Sequence, residues 1–180
     1  MNLWGLSQDI CERIKRIKFF LTDVDNVLTN GFVYYNADNK DTIAIHVHDG
    51  SGLKFLQQGG IKVGLISGRK SEAIVKWAHV LELDEVFVGY LDKLIPYEEI
   101  KIKHNLHDSE IAYVGDDLTD YSLLSRVGFA IAVKNAAGEI KEIVHYVTAR
   151  KAGEGVIREM SEIILKIQGK WEKVLACYKK

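Results

Sequence analysis

Six short apolar runs, each bounded by turn residues, constrain this 180-residue chain more than any other feature. They cover 17–21, 61–66, 86–88, 111–114, 129–133 and, more weakly, 146–148. Each is too short for an ordinary helix, and most are rich in β-branched or aromatic residues. The apolar residues run almost continuously instead of alternating with polar ones. That pattern suits strands buried on both faces, as in a parallel sheet.

Helical patterns fill the gaps. Residues 70–82 place Ile74, Trp77, Ala78 and Leu81 on one face. Residues 94–104 carry Pro96 near their start, where a missing N–H costs little. Residues 117–127 turn Leu118, Leu123 and Leu124 toward a core, 50–59 form a helix, and 153–176 form the longest one. The alternation predicts an α/β chain, a Rossmann-like three-layer fold with a central parallel sheet. One segment breaks the alternation. Residues 31–49 hold two strand-like runs around a turn sequence, "NADNKD", and predict a β-hairpin inserted after the first strand. No repeat or linker is evident, so residues 1–180 are expected to form a single domain.

In open parallel sheets, ligands bind beyond the carboxyl ends of the strands. The first run is followed by Asp23-Val24-Asp25, the second by Ser67-Gly68-Arg69, the third by Asp92-Lys93 and the fourth by Gly115-Asp116-Asp117, with Asp120 close behind. Each cluster alone is commonplace: a surface lysine, a helix cap, a turn. Four of them, each at the end of a separate strand, converge on one site. Crowded carboxylates repel and raise one another's pKa. A hard divalent cation relieves that repulsion, and an all-oxygen ligand set suits Mg²⁺. Ser67 adds a hydroxyl near a helix start and Lys93 a positive charge, which together suit a phosphate. The set describes phosphoryl transfer with Asp23 as nucleophile and Asp25 as acid and base.

At these residues the sequence resembles the haloacid dehalogenase-like phosphatases. "DVDNVLTNG", "HVHDGSGLKFL", "GLISGRKS", "AYVGDDLTD" and "RKAGEGVIRE" are similar to the 3-deoxy-D-manno-octulosonate 8-phosphate phosphatases, a branch without a large cap. The resemblance implies hydrolysis of that sugar phosphate in lipopolysaccharide precursor synthesis. It implies a phosphoaspartate on Asp23, with Asp25 as acid/base. It gives Mg²⁺ the ligands Asp23, Asp25 (through its carbonyl) and Asp116, with Asp120 in support. Ser67, Gly68 and Lys93 would hold the phosphate. His46, Val47, His48, Asp49, Gly50, Lys54 and Arg69 match sugar-contact positions, beside Asp25 and Lys93. Asn26 stands where the family usually has glycine; asparagine is the best-tolerated replacement in a left-handed conformation.

Neither gap between the clusters, 24–66 or 94–115, holds a lid domain. Neighbouring subunits are therefore expected to supply the lid, and the resemblance implies a homotetramer built through the hairpin, with 149–158 (Lys151 and Arg158 as candidate anion contacts) reaching a neighbour's site. Rival readings are a phosphatase for another sugar-acid phosphate, such as a nonulosonate 9-phosphate, and a non-enzymatic phospho-receiver or scaffold. A net charge of -1 argues against nucleic acid. No apolar run is long enough to cross a bilayer. Only Cys11 and Cys177 are present, without metal-binding spacing, so a reduced cytoplasmic setting is expected.

Overall fold

The computed structural model describes residues 5–35, 37 and 41–179. Strands β1 (Phe19–Thr22), β4 (Lys62–Ser67), β5 (Glu85–Val88), β6 (Ile111–Gly115), β7 (Phe129–Ala132) and β8 (Tyr146–Val147) form one sheet in the order β5-β4-β1-β6-β7-β8. Every pairing in it is parallel. The four inner strands are buried almost throughout, which is why their sequences lack alternation. Phe19, Phe20 and Leu21 are fully enclosed, each burial contributing about 1.5–3 kcal/mol. The edge strands β5 and β8 are only partly covered.

Helices α1 (Gln8–Lys15), α2 (Val47–Gln58), α3 (Glu72–Val80), α7 (Val156–Ile167) and α8 (Trp171–Ala176) cover one face of the sheet. Helices α4 (Leu94–His104), α5 (Tyr121–Leu124) and α6 (Gly138–Ile143) cover the other. Right-handed crossovers dictate this division, because the chain leaves β1 in one direction and returns from β5 in the other. The sheet's topological switch point therefore lies at β1, between β4 and β6. Helices α2 and α7 pack closely at Gly52, where a Cβ would stand 2.9 Å from the Ile157 carbonyl. Among the described residues, no helix is long and apolar enough to cross a membrane.

Several sequence expectations need correction. The hairpin is shorter than predicted: β2 (Tyr34–Tyr35) pairs antiparallel with β3 (Asp41–Thr42), and 43–46 form no strand. Residues 36 and 38–40 lie outside the described residues. His46 and His48 therefore do not alternate on a strand. His46 is the N-cap of α2, its Nδ1 accepting from the His48 N–H at 3.2 Å, so the helix begins earlier than residue 50. The helix expected over 117–127 begins as a 3-10 turn, 118–120, leaving Leu118 exposed; Leu123 and Leu124 are buried as expected. The long C-terminal helix is two. Gly169 adopts φ +68, and Lys170 N–H closes back on the Leu165 carbonyl at 2.7 Å, a left-handed stop that periodicity does not reveal. Helices α1 and α6 were not foreseen as elements.

Candidate active site

The ladder continues one residue past β1. Asp23 N–H donates to the Val114 carbonyl (2.9 Å), so the Asp23 backbone is fixed by the neighbouring strand. The chain then turns sharply. Val24 accepts from Leu28 and Thr29, and Val24, Val27 and Leu28 bury beneath the turn. This packing drives Asp25 and Asn26 outward, and Asn26 takes the left-handed conformation its type tolerates, φ 53°. At the end of β6, Asp120 folds back over the strand, accepting from Asp116 N–H at 2.9 Å. Gly115 makes room for it, since a Cβ there would meet Asp120 Oδ2 at 2.5 Å.

Lys93, only 2% exposed, is the centre of charge. Its Nζ lies 2.9 Å from Asp23 Oδ1, 2.6 Å from Asp120 Oδ1 and 3.2 Å from the Tyr113 hydroxyl. Tyr113 in turn donates to Asp120 Oδ1 at 2.6 Å. Burial works against a charged lysine, but the two carboxylates outweigh it and hold Lys93 protonated. One cation cannot neutralise the acids around it. Burial, reinforced by Asp120, pushes Asp23 up to about 8 despite Lys93. Asp116 rises to about 7, again chiefly through burial and against a hydrogen bond from Asn26. Asp23, Asp116 and Asp120 each offer an oxygen, all within 4.8 Å of one another. Three hard oxygen donors with more negative charge than Lys93 balances fit a divalent cation such as Mg²⁺.

The outer part of the site differs. Arg69 grips Asp25 with two hydrogen bonds, Nε to Oδ2 at 3.0 Å and Nη2 to Oδ1 at 2.6 Å, and its Nη1 reaches Asp41 in strand β3 of the hairpin. These bonds, led by those to Asp25, keep Arg69 firmly protonated. Ser67 lies buried beneath the turn, its Oγ accepting from the Arg69 N–H at 3.2 Å.

A cavity of about 280 Å³ opens here, lined by Asp23, Asp25, Gly68, Arg69, Lys93 and Asp116 among others. Ser67 and Asp120 lie behind its wall. Other predicted contacts sit elsewhere in this chain. Val47 and His48 are exposed on α2. Lys54 pairs with Glu82 at 3.1 Å, and Gly50 faces Leu81 and Trp77. Asp49 is fully buried, its Oδ1 accepting from Ile157 N–H (2.7 Å) and Arg158 N–H (3.2 Å) at the start of α7. In the C-terminal segment, Lys151 is exposed and Arg158 is held by Glu162 at 2.7 Å. A larger cleft, about 560 Å³, lies at the opposite end of the strands beside Lys18 and Lys170 and holds none of the clustered carboxylates.

Sequence reasoning passed over Tyr113, Asp41 and Asn135. Tyr113 reads as an ordinary strand residue and gives no signal. Asn135 could have been found: it follows β7, and its Nδ2 donates to Asn26 Oδ1 at 3.0 Å.

Comparison with known proteins agrees with this geometry. A family model for haloacid dehalogenase-like hydrolases matches residues 85–160. The 3-deoxy-D-manno-octulosonate 8-phosphate phosphatase of Yersinia pestis is 32% identical over 93% of this chain and 89% of its own. The crystal structure of the Moraxella catarrhalis enzyme of that name, in complex with magnesium ion, phosphate ion and KDO molecule, superposes with a TM-score of 0.91. It is 34% identical, covering 95% of this chain and 98% of its own. The cobalt-bound Haemophilus influenzae deoxy-D-mannose-octulosonate 8-phosphate phosphatase gives a TM-score of 0.84 at 34% identity, over 87% and 92% of the two chains. With this identity sustained along nearly the whole length of its relatives, the chain belongs to the family of 3-deoxy-D-manno-octulosonate 8-phosphate phosphatases.

Proposed function

We propose that this protein is a cytoplasmic, magnesium-dependent phosphatase that hydrolyses 3-deoxy-D-manno-octulosonate 8-phosphate to octulosonate and phosphate. The observation that carries the reading is the buried Asp23 carboxylate, held 2.9 Å from Lys93 at the switch point of the sheet, with Asp25 two residues on. The relatives' names supply the substrate.

Asp23 attacks phosphorus, and the bond from phosphorus to the sugar oxygen breaks. Asp25 gives its proton to the departing oxygen, then takes one from the water that cleaves the aspartyl phosphate. Lys93 stays charged throughout, holding Asp23 in line and stabilising charge on the phosphoryl oxygens. Asp120 and Tyr113 fix Lys93. Gly68 and Ser67 form the turn against which the phosphate rests. In the free enzyme Arg69 occupies Asp25, so an anionic group of the substrate must draw Arg69 away before Asp25 can serve as an acid. Asp23, Asp116 and the Asp25 carbonyl would hold Mg²⁺, with Asp120 in support. Once bound, the cation supplies Lewis-acid stabilisation of the transferring phosphoryl group.

The working form we propose is a homotetramer assembled through the hairpin, closing the site from outside. Phe32, Tyr34 and Tyr35 support it, being 66%, 51% and 68% exposed on a ribbon that is marginal alone. The decisive experiment measures phosphate release from 3-deoxy-D-manno-octulosonate 8-phosphate and from a panel of other sugar phosphates with Mg²⁺, for the wild type and Asp23→Asn. Preference for the octulosonate, with at least about 10⁴-fold loss in the variant, supports the reading. Faster turnover of another sugar phosphate would transfer the assignment to that substrate.

A further inference from the structure

Asn26 does more than tolerate a left-handed backbone. Its amide is used at both ends: Nδ2 donates to Asp116 Oδ2 at 2.7 Å, and Oδ1 accepts from Asn135 Nδ2 at 3.0 Å. Asn135 Oδ1 accepts in turn from the Ala152 backbone N–H at 2.8 Å. The next residue, Gly153, packs onto the turn after Asn26, its N–H 3.0 Å from the Val27 carbonyl. One line of amides thus joins the turns after β1, β6 and β7 to the segment that leads into α7.

The chemistry of the donor matters. A lysine or arginine at this place would fix Asp116 but also neutralise it and compete with a cation. A neutral amide orients the carboxylate, occupies one oxygen and leaves the negative charge in place. No hydrogen bond to the other oxygen, Oδ1, is present among the described residues.

We propose that Asn26 is a positioning residue: it sets Asp116 for a divalent cation and, through Asn135, couples that cation site to the 150–155 segment. The inference rests on the reading of Asp116 as a cation ligand. A partner that orients a metal ligand from behind typically influences affinity by 10–100-fold. The coupling follows because the Asn26 amide cannot turn without breaking its bond to Asp116 or its bond to Asn135.

The test uses the full metal-free chain and Mg²⁺ alone as the probe. Asn26→Gly removes the amide without backbone strain, since glycine adopts positive φ freely. Asn135→Ala breaks the line at an exposed residue beyond the cation site. Titration calorimetry is expected to show Mg²⁺ binding about tenfold weaker in Asn26→Gly and within about threefold of wild type in Asn135→Ala. Hydrogen exchange is expected to show Mg²⁺ slowing the amides of 150–155 in the wild type and failing to do so in either variant. Unchanged affinity in Asn26→Gly, or a preserved response of 150–155 in both variants, overturns the proposal. A wild type that binds no Mg²⁺ overturns the underlying cation reading first, and the proposal with it.

Discussion

The two halves of the active site are built on opposite terms. In the deep half, Asp23, Lys93, Asp120 and Tyr113 are almost without solvent, and each polar group is held by partners from another strand or loop. In the outer half, Asp25 and Arg69 remain 34% and 21% exposed and are tied to the hairpin through Asp41. Low dielectric makes the deep contacts strong and makes any unpaired charge there costly. The outer ion pair is wetter, and surface pairs contribute only about 0–1 kcal/mol. The difference separates two tasks. In the mechanism proposed above, Asp23 as nucleophile must be fixed and charged on demand, whereas Asp25 as acid/base and its arginine must exchange partners as the substrate arrives.

Breaking the deep half gives the largest effect. Lys93→Met strands two buried carboxylates, and urea unfolding is expected to show a loss of about 3–5 kcal/mol, with activity abolished. A loss below about 1 kcal/mol would mean that Lys93 is not the centre of charge. Asp25→Asn should separate activity from stability. Its kcat falls by roughly 10²–10⁴-fold, while unfolding shifts by no more than about 1 kcal/mol. Equal damage to both quantities would erase the distinction between the halves.

The pH dependence of cation binding sharpens the same contrast. In the metal-free chain Asp23 and Asp116 titrate at about 8 and about 7, against about 3.9 for an unfolded aspartate. The folded state therefore binds these protons more tightly than the unfolded state. Their contribution favours folding at low pH and is lost as pH rises from about 4 to about 8. Mg²⁺ must displace the same protons, so it binds more tightly as pH rises. Thermal melts at a fixed Mg²⁺ concentration should show a larger gain in Tm at pH 8 than at pH 6. At a concentration of a hundred times Kd the gain corresponds to about 2.7 kcal/mol. An identical gain at both values would place the bound cation away from these carboxylates. The smallest effect is expected at the hairpin. Tyr35→Ser should leave subunit stability within about 0.5 kcal/mol yet shift the assembly toward smaller species by light scattering. A tetramer indifferent to this change would relocate the interface.

Much of the site was legible before the fold was known, for a positional reason. A strand in a parallel sheet delivers whatever follows it to the same edge, so Asp23, Gly68, Lys93 and Asp116 could be assembled from the ends of apolar runs. Residues placed by resemblance and not by strand position lie elsewhere in this chain. His46 caps α2, and Val47, His48, Asp49, Gly50 and Lys54 lie on it, all outside the cavity of their own chain, while Asp49 caps α7. The strand-like reading of 46–49 failed because 43–46 has the composition of a strand but the path of a connection into a helix.

By itself, the sequence determined the strands, the helices with clear periodicity, and the four acidic and basic clusters at the sheet's carboxyl edge. These are local properties: burial on two faces shows as continuous apolarity, and an edge position shows as a break in it. Only the tertiary structure decided that Tyr113 and Asp120 would clamp Lys93, that Arg69 would hold Asp25 against the hairpin, and that Asn26 would meet both Asp116 and Asn135. Such contacts join residues as many as 109 positions apart. They depend on strand register and side-chain rotamer, and no periodicity in the chain encodes either.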